Sequence, residues 1–390
     1  MPSSLAAPSP NPLSTTPSTP ASTNASTPAP AGDAGGSEGA YLRAVRGARP
    51  DFAAGGRLPV WFMRQAGRSL PEYRRVREGI SMLDSCRRPE LVCEITLQPV
   101  RRYGVDAAIF YSDIVVPLQA AGVGVDIVAG TGPVVAEPIR TRADLDRLPE
   151  LTPDRLEHIA AACRLITAEL PAGTPLIGFA GAPFTLASYL VEGGPSRDLL
   201  RTKAMMLGDP ELFADLLARL AQITGQFLRV QAEAGASAVQ LFDSWVGALP
   251  LVDYRRHVAP HSAAALAAVA DLDVARVHFG TVSSELLGEM AAVDGGVDMV
   301  GVDFRLPLDE GARRAAAGAG RPVAVQGNLD PAHLFAPADV LRAAVREVCA
   351  AGERAGVGHV VNLGHGVPPS ASPDALQLVV DEVHAWTPTA

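Results

Sequence analysis

The sequence predicts an α/β chain folded as a single (β/α)8 TIM barrel with a disordered N-terminal extension, and three observations carry that prediction. Eight short apolar runs recur between residues 59 and 363, most of them trailed by polar or glycine-rich residues and then by a stretch of helical periodicity. Polar side chains and glycines collect just after the runs, where a parallel barrel gathers its chemistry. Ahead of all this lie 38 residues dominated by Pro, Ser, Thr and Ala, which cannot bury enough side chain to offset their ordering entropy.

The eight predicted strands are Pro59–Met63, Ala107–Phe110, Leu176–Ala180, Ala238–Phe242, Ala275–Phe279, Met299–Val302, Val323–Gln326 and His359–Leu363. Among the connections, residues Glu211–Ala232 place Phe213, Leu217, Leu220, Ile223 and Phe227 at three- and four-residue steps, the spacing of one buried helical stripe. Asp209 is positioned to cap that helix and Pro210 to open it, where a missing N–H costs nothing. Ser196 is expected to cap a helix over Arg197–Met206, and Ala338–Ala351 and Asp309–Ala317 read as further helices. Residues Val115–Thr141, rich in glycine and β-branched side chains, read as an extended loop or a hairpin. A doubly wound sheet is the main rival, weakened by the lack of GxGxxG after the first strand. The expected organisation is a tail over 1–38 and one domain over 39–387.

Composition narrows the partners. Of 390 residues 48 % are hydrophobic and no apolar run is long enough to span a bilayer, so a soluble, cytoplasmic protein is expected. Four cysteines without a CxxC pair fit reduced thiols. A net charge of -9 argues against general affinity for nucleic acid or an anionic membrane, so only local clusters of arginine could bind polyanions.

Such clusters occur at the strand ends. Arg64 and Arg68 share a face if a helical turn begins there, and two adjacent guanidinium forks suit a ligand with several carboxylates, although ion pairing with a neighbour such as Glu72 would explain them equally well. Asp113 follows the apolar run AAIFY, so its carboxylate must be compensated, either by donors on a ligand or by loop amides. His365 lies between two glycines in NLGHGV and is either a carboxylate donor or a structural histidine. Tyr189 and Ser244 are hydroxyl donors with weaker signals. His257 and His261 have helical spacing but no HExxH context, and neither a Walker P-loop nor GxSxG is present, which removes the usual handles for metalloprotease, phosphoryl-transfer and serine-hydrolase chemistry.

Taken in order, PVWFMRQAGRSLPEY, FYSDIVVPLQAAG, GFAGAPFTLASYLVEGG, QLFDSWVG, VQGNLDP and NLGHGVPP closely resemble the uroporphyrinogen decarboxylase family across everything after the tail. The resemblance implies a cofactor-free, metal-free (β/α)8 enzyme, usually a homodimer, that converts the four acetate side chains of uroporphyrinogen III to methyl groups and yields coproporphyrinogen III and four CO2. It implies that Arg64, Gln65, Ala66, Gly67 and Arg68 form the substrate-binding loop, that Asp113 faces the pyrrole nitrogens, and that Tyr189, Ser244 and His365 complete the contacts. Asp113, Arg64 and Arg68 are the catalytic set it implies. The sequence departs from the family at Ser69, where an aromatic residue is common. A corrinoid-linked methyltransferase is the nearest enzymatic alternative, and it would need a zinc-bound thiolate that Cys86, Cys93, Cys163 and Cys349 are poorly placed to supply.

Overall fold

The computed structural model describes residues 38–388 except 129 and 294–295; the tail predicted over 1–38 therefore lies outside the described residues but for Glu38. Seven strands form one parallel sheet, β1 (Ala108–Ile109), β4 (Leu176–Gly181), β5 (Ala238–Asp243), β6 (Ala275–Gly280), β7 (Met299–Gly301), β8 (Ala324–Leu329) and β9 (His359–Leu363), each hydrogen-bonded to the next in that order. Nearly every residue of these strands is buried, as expected of a parallel sheet covered by helices. Inside the curl of the sheet, Trp61 Nε1 donates to Gln326 Oε1 (2.9 Å) and Gln326 Nε2 to Gln240 Oε1 (3.1 Å), a polar chain joining β8 to the non-adjacent β5.

The first predicted strand is corrected. Pro59–Met63 makes one bridge, Val60 to Val361 of β9, supported by Trp61 N–H to Val361 O (3.3 Å) and Val361 N–H to Pro59 O (2.9 Å). On its other side Asp106 N–H donates to Val60 O (2.8 Å), and the Asp106 carboxylate accepts from Val60 N–H (2.8 Å). A side chain thus takes the place of a backbone rung, so the apolar run is extended and buried without forming a ladder. The same carboxylate pairs with Arg57 (2.7 Å) and His384 (2.9 Å), tying the C-terminal helix Pro373–Ala385 to this seam.

The Val115–Thr141 stretch resolves into a short helix, Val116–Ala121, and an antiparallel hairpin of β2 (Val125–Val128) and β3 (Gly132–Val135) outside the main sheet. The helix at Pro210–Glu233 has its expected cap, Asp209 accepting from Leu212 N–H (3.1 Å), and its apolar stripe is buried. Helices at Leu308–Ala319 and Ala338–Ala355 outrun their predicted ends. The Ser196 expectation fails in part: its hydroxyl accepts from Leu199 N–H (3.2 Å), but Leu199 itself adopts φ 50° and the helix begins only at Leu200. No described helix is long and apolar enough to cross a membrane.

Candidate active site

The polar residues that follow the strands meet along one rim, and hydrogen bonds link successive loops there. Ala182 N–H donates to Phe242 O (2.9 Å), Thr185 Oγ1 donates to Asp243 (2.9 Å) and accepts from Trp245 N–H (3.3 Å), and Thr281 Oγ1 donates to Ser244 O (2.6 Å). Val282 N–H donates to Asp303 Oδ2 (2.5 Å), while Asn328 Nδ2 donates to Asp303 O (2.9 Å). Val367 N–H donates to Met63 O (2.8 Å), and Met63 N–H to Asn362 Oδ1 (3.1 Å), which connects β9 to the loop that opens with Arg64.

That loop is built around a wholly buried Gln65. Its Oε1 accepts from Phe62 N–H (3.0 Å) and its Nε2 donates to Ala107 O (3.0 Å), so the wholly buried side chain anchors the turn from beneath. With Gln65 inward, Arg64 and Arg68 are thrown outward and both are exposed. Arg64 pays with a left-handed φ of 63°, a conformation that costs a side-chain-bearing residue about 1–2 kcal/mol. Ala66 and Gly67 complete the turn; a Cβ on Gly67 would sit 2.9 Å from Arg64 O. Gly366 has its own reason to be glycine, since a Cβ there would meet Arg64 Cδ at 2.6 Å. His365 is therefore seated directly beside Arg64.

Asp113 is half-buried after β1, and its Oδ1 accepts from Val115 N–H (3.1 Å). Desolvation raises its carboxyl above the ordinary value, against the opposing pull of that backbone N–H and of the Arg64 guanidinium. Tyr189 is buried, its ring edge-on to Trp245 at 6.0 Å, and burial raises its phenol, with Asp113 and Arg64 both within electrostatic reach. Ser244 lies half-buried in the next loop. His365 stands at the opening; desolvation first, and then Arg64, hold its imidazole below the usual value, so at neutral pH it acts as a neutral hydrogen-bonding group and not as a cation. Asp113, Arg64, Tyr189 and His365 thus share one electrostatic neighbourhood, with Ser244 on the loop next to Trp245. Gln65 belongs to its foundation.

Sequence reasoning passed over three features. Phe179, Phe242 and Phe279 form an edge-to-face row across β4, β5 and β6, with centroids 5.4 and 6.0 Å apart. Arg77 lies over the Tyr73 ring (5.6 Å), donates to Ser85 Oγ (2.8 Å) and is bonded to the Tyr111 hydroxyl, two residues before Asp113. The third is collective. Seven arginines lie between residues 64 and 88, and among the described residues none forms an ion pair, whereas Glu72 within that stretch is paired with Arg102 from outside it. Local positive charge is left free there in a protein whose net charge is -9.

Among the described residues no group of three or more His, Cys, Asp or Glu is placed to hold a metal ion. The four cysteines are free and buried, and burial pushes the thiols of Cys86, Cys163 and Cys349 up to about 12 and that of Cys93 up to about 11.

A parallel α/β scaffold bearing a desolvated acid, Asp113, beside unpaired guanidinium groups defines the class: an enzyme-like site suited to a ligand rich in carboxylates. The uroporphyrinogen decarboxylase family matches residues 37–386, and the chain belongs to that family. It is 62 % identical over 351 residues to the uroporphyrinogen decarboxylase of Streptomyces griseus, covering 90 % of this chain and 92 % of that one. With the uroporphyrinogen decarboxylase of Streptomyces coelicolor it shares 63 % identity over 329 residues, 84 % of this chain and 90 % of the relative. Among solved structures, a methyltransferase from Methanosarcina mazei superposes with a TM-score of 0.71 at 17 % identity, covering 88 % of this chain and 97 % of that one, a likeness of fold alone.

Proposed function

We propose that this protein decarboxylates the four acetate side chains of uroporphyrinogen III, yielding coproporphyrinogen III and four CO2 in tetrapyrrole biosynthesis, and that its catalytic domain spans residues 39–387. The observation that carries the reading is the pairing of one half-buried acid, Asp113, with a stretch of unpaired arginines on a protein of net charge -9. A neutral or cationic ligand would gain nothing from such a rim; an octacarboxylate macrocycle with pyrrole N–H groups at its centre uses both parts.

In this reading the macrocycle lies on the aromatic row, and Asp113 accepts hydrogen bonds from the pyrrole N–H groups. Its raised proton affinity then becomes useful. A partly desolvated carboxylate binds N–H donors more tightly than one in open water and responds more strongly to positive charge developing on the ring. Protonation of a pyrrole ring carbon makes the ring an electron sink, the C–C bond to the acetate carboxyl breaks with its electron pair passing into the ring, CO2 leaves, protonation of the exocyclic carbon gives the methyl group, and loss of the proton first placed on the ring restores the pyrrole, so that each turn consumes one proton in all. Arg64 and Arg68 position carboxylates. The planar fork of N–H donors on a guanidinium matches a carboxylate, so positioning is their first role. Tyr189 and Ser244 supply hydroxyl groups, and neutral His365 donates a hydrogen bond. Gln65, Ala66 and Gly67 hold the loop in shape. Pro59–Met63 serves as the eighth stave that closes the barrel, and the protein works as a homodimer in the cytoplasm, a reading supported only by the family resemblance.

The test is an anaerobic assay of the purified protein with uroporphyrinogen III and no added cofactor, following the number of carboxyl groups in the product. Stepwise loss of four carboxyls is expected. Folded protein that leaves reduced substrate untouched would refute the reading.

A further inference from the structure

The site has a flank that none of its implied residues occupies. After β7 the chain runs Asp303–Phe304–Arg305, and this turn is pinned from several sides. The buried Asp303 carboxylate accepts from Arg305 N–H (2.9 Å) through Oδ1 and from Val282 N–H (2.5 Å) through Oδ2, so one side chain fixes two neighbouring rim loops. Val282 is held at φ 56°, an outlier for a β-branched residue. Strain of this kind persists only where surrounding structure imposes it.

Across the rim, a Cβ on Gly364 would lie 2.2 Å from Phe304 N, and one on Gly366 would lie 2.6 Å from Arg64 Cδ. The Gly364–His365–Gly366 turn is therefore sandwiched between the Phe304 backbone and the Arg64 side chain, with His365 at its tip. Arg305 follows Phe304 on the first side. Its guanidinium lies over the Phe304 ring at 5.3 Å and only within 3.9 Å of Asp303, whose oxygens are already engaged by the two backbone N–H groups. About half of the Arg305 side chain is exposed at the opening.

We propose that Arg305 is a further carboxylate-binding residue of this site, gripping a substrate side chain on the opposite side of His365 from Arg64. The inference rests on the decarboxylase reading and extends it to a specificity-determining cation on a loop that carries none of the implied site residues. The electrostatics agree, since both Arg64 and Arg305 oppose protonation of His365. A ring stack on Phe304 leaves the edge of a guanidinium, with its N–H donors, free to face a carboxylate.

The experiment compares R305M, which keeps an aliphatic stem over Phe304 and removes the charge, with R305K, which keeps the charge and loses the planar stack. Steady-state decarboxylation of uroporphyrinogen and binding of uroporphyrin III, its non-reacting octacarboxylate counterpart, are both measured. For R305M, KM and the uroporphyrin Kd are expected to rise five- to tenfold with kcat changed less than twofold, as for loss of uniform binding. R305K, which keeps the charge but not the stacked fork, is expected to lose less than R305M, with KM and Kd raised about two- to threefold. Unchanged KM and Kd in R305M would overturn the proposal, as would equal losses in R305M and R305K, which would assign Arg305 to packing of the turn. Should R305M fail to fold, R305Q carries the same comparison. A parent protein that binds uroporphyrin but releases no CO2 would refute the decarboxylase reading, while the binding arm would still decide the role of Arg305.

Discussion

Arginine does opposite things in two parts of this molecule. On the outer helices Arg229 ends on Glu233 (2.8 Å) and Asp271 (2.8 Å), Arg314 on Glu310 (2.8 Å), and Arg342 and Arg346 together on Glu382 (2.8 and 2.5 Å). Between residues 64 and 88 seven arginines share one stretch of chain, and among the described residues none reaches a carboxylate. With Lys203 as the single lysine, the residue type is the same throughout, so a count of arginines says nothing; the presence or absence of a partner separates the regions. Paired guanidinium groups on an exposed helix contribute roughly 0–1 kcal/mol each and project little field. Unpaired ones at a rim hold a positive potential ready for an anion that the acidic remainder of the surface would otherwise repel.

The sharpest way to break this contrast is at its acidic centre. Asp113→Asn keeps the shape and removes the charge, and turnover is expected to fall by about 10²- to 10⁴-fold, the scale of losing a preorganised electrostatic group. Stability should move the other way. Because the folded carboxyl has its pKa raised, the native state holds its proton to higher pH than the unfolded chain, and stability falls as pH rises through that window. The asparagine variant lacks this penalty, so its Tm at pH 7 should equal or exceed that of the parent. For the parent, activity should decline on acidification at a higher pH than an ordinary aspartate would give. A variant that loses both activity and stability would make Asp113 a structural residue.

Next in size is a group that belongs to neither region. His359 is fully buried, its Nε2–H donating to Gly327 O (3.0 Å), and burial pushes its imidazole down to about 4. A depressed folded pKa means that the native state resists a proton the unfolded chain accepts. The stability present above about pH 6.5 is therefore lost as pH falls through about 4, by roughly 3 kcal/mol in total. Denaturant titrations at pH 7 and pH 4.5 in the parent and in His359→Gln measure it, with the variant expected to show the flatter pH dependence.

The two arginine sets can then be compared directly. Arg64→Gln or Arg68→Gln should raise KM for uroporphyrinogen about 10- to 100-fold, corresponding to a charged hydrogen bond of about 1.5–3 kcal/mol, and should weaken its salt dependence. Arg229→Gln should leave KM unchanged and cost roughly 0–1 kcal/mol of stability, the smallest effect of the series. Equal KM effects at Arg64 and Arg229 would erase the distinction.

Much of this was legible in the sequence, and the limits have physical causes. Periodicity located the helix at Pro210–Glu233 and the cores of the seven ladder strands, because burial imposes it. The same signal overcalled Pro59–Met63, because an apolar run reports burial and not hydrogen-bond pairing, and here the Asp106 side chain replaces a rung. Motif order brought out Arg64, Arg68, Asp113, Tyr189, Ser244 and His365, yet could not tell that Gln65, between two exposed neighbours, turns fully inward. Arg305 follows the sixth apolar run as one of the polar strand-end residues, but no motif gives it a role. Its position depends on Asp303 of its own turn and on Val282 and Gly364, which are brought to that turn from two other rim loops.

The most direct measurement is a structure of the protein bound to coproporphyrinogen under reducing conditions. The account predicts the Asp113 carboxylate within hydrogen-bond distance of the pyrrole nitrogens and the Arg64 guanidinium on a side-chain carboxylate. A macrocycle bound with Asp113 turned away from its nitrogens and Arg64 facing bulk water would contradict it.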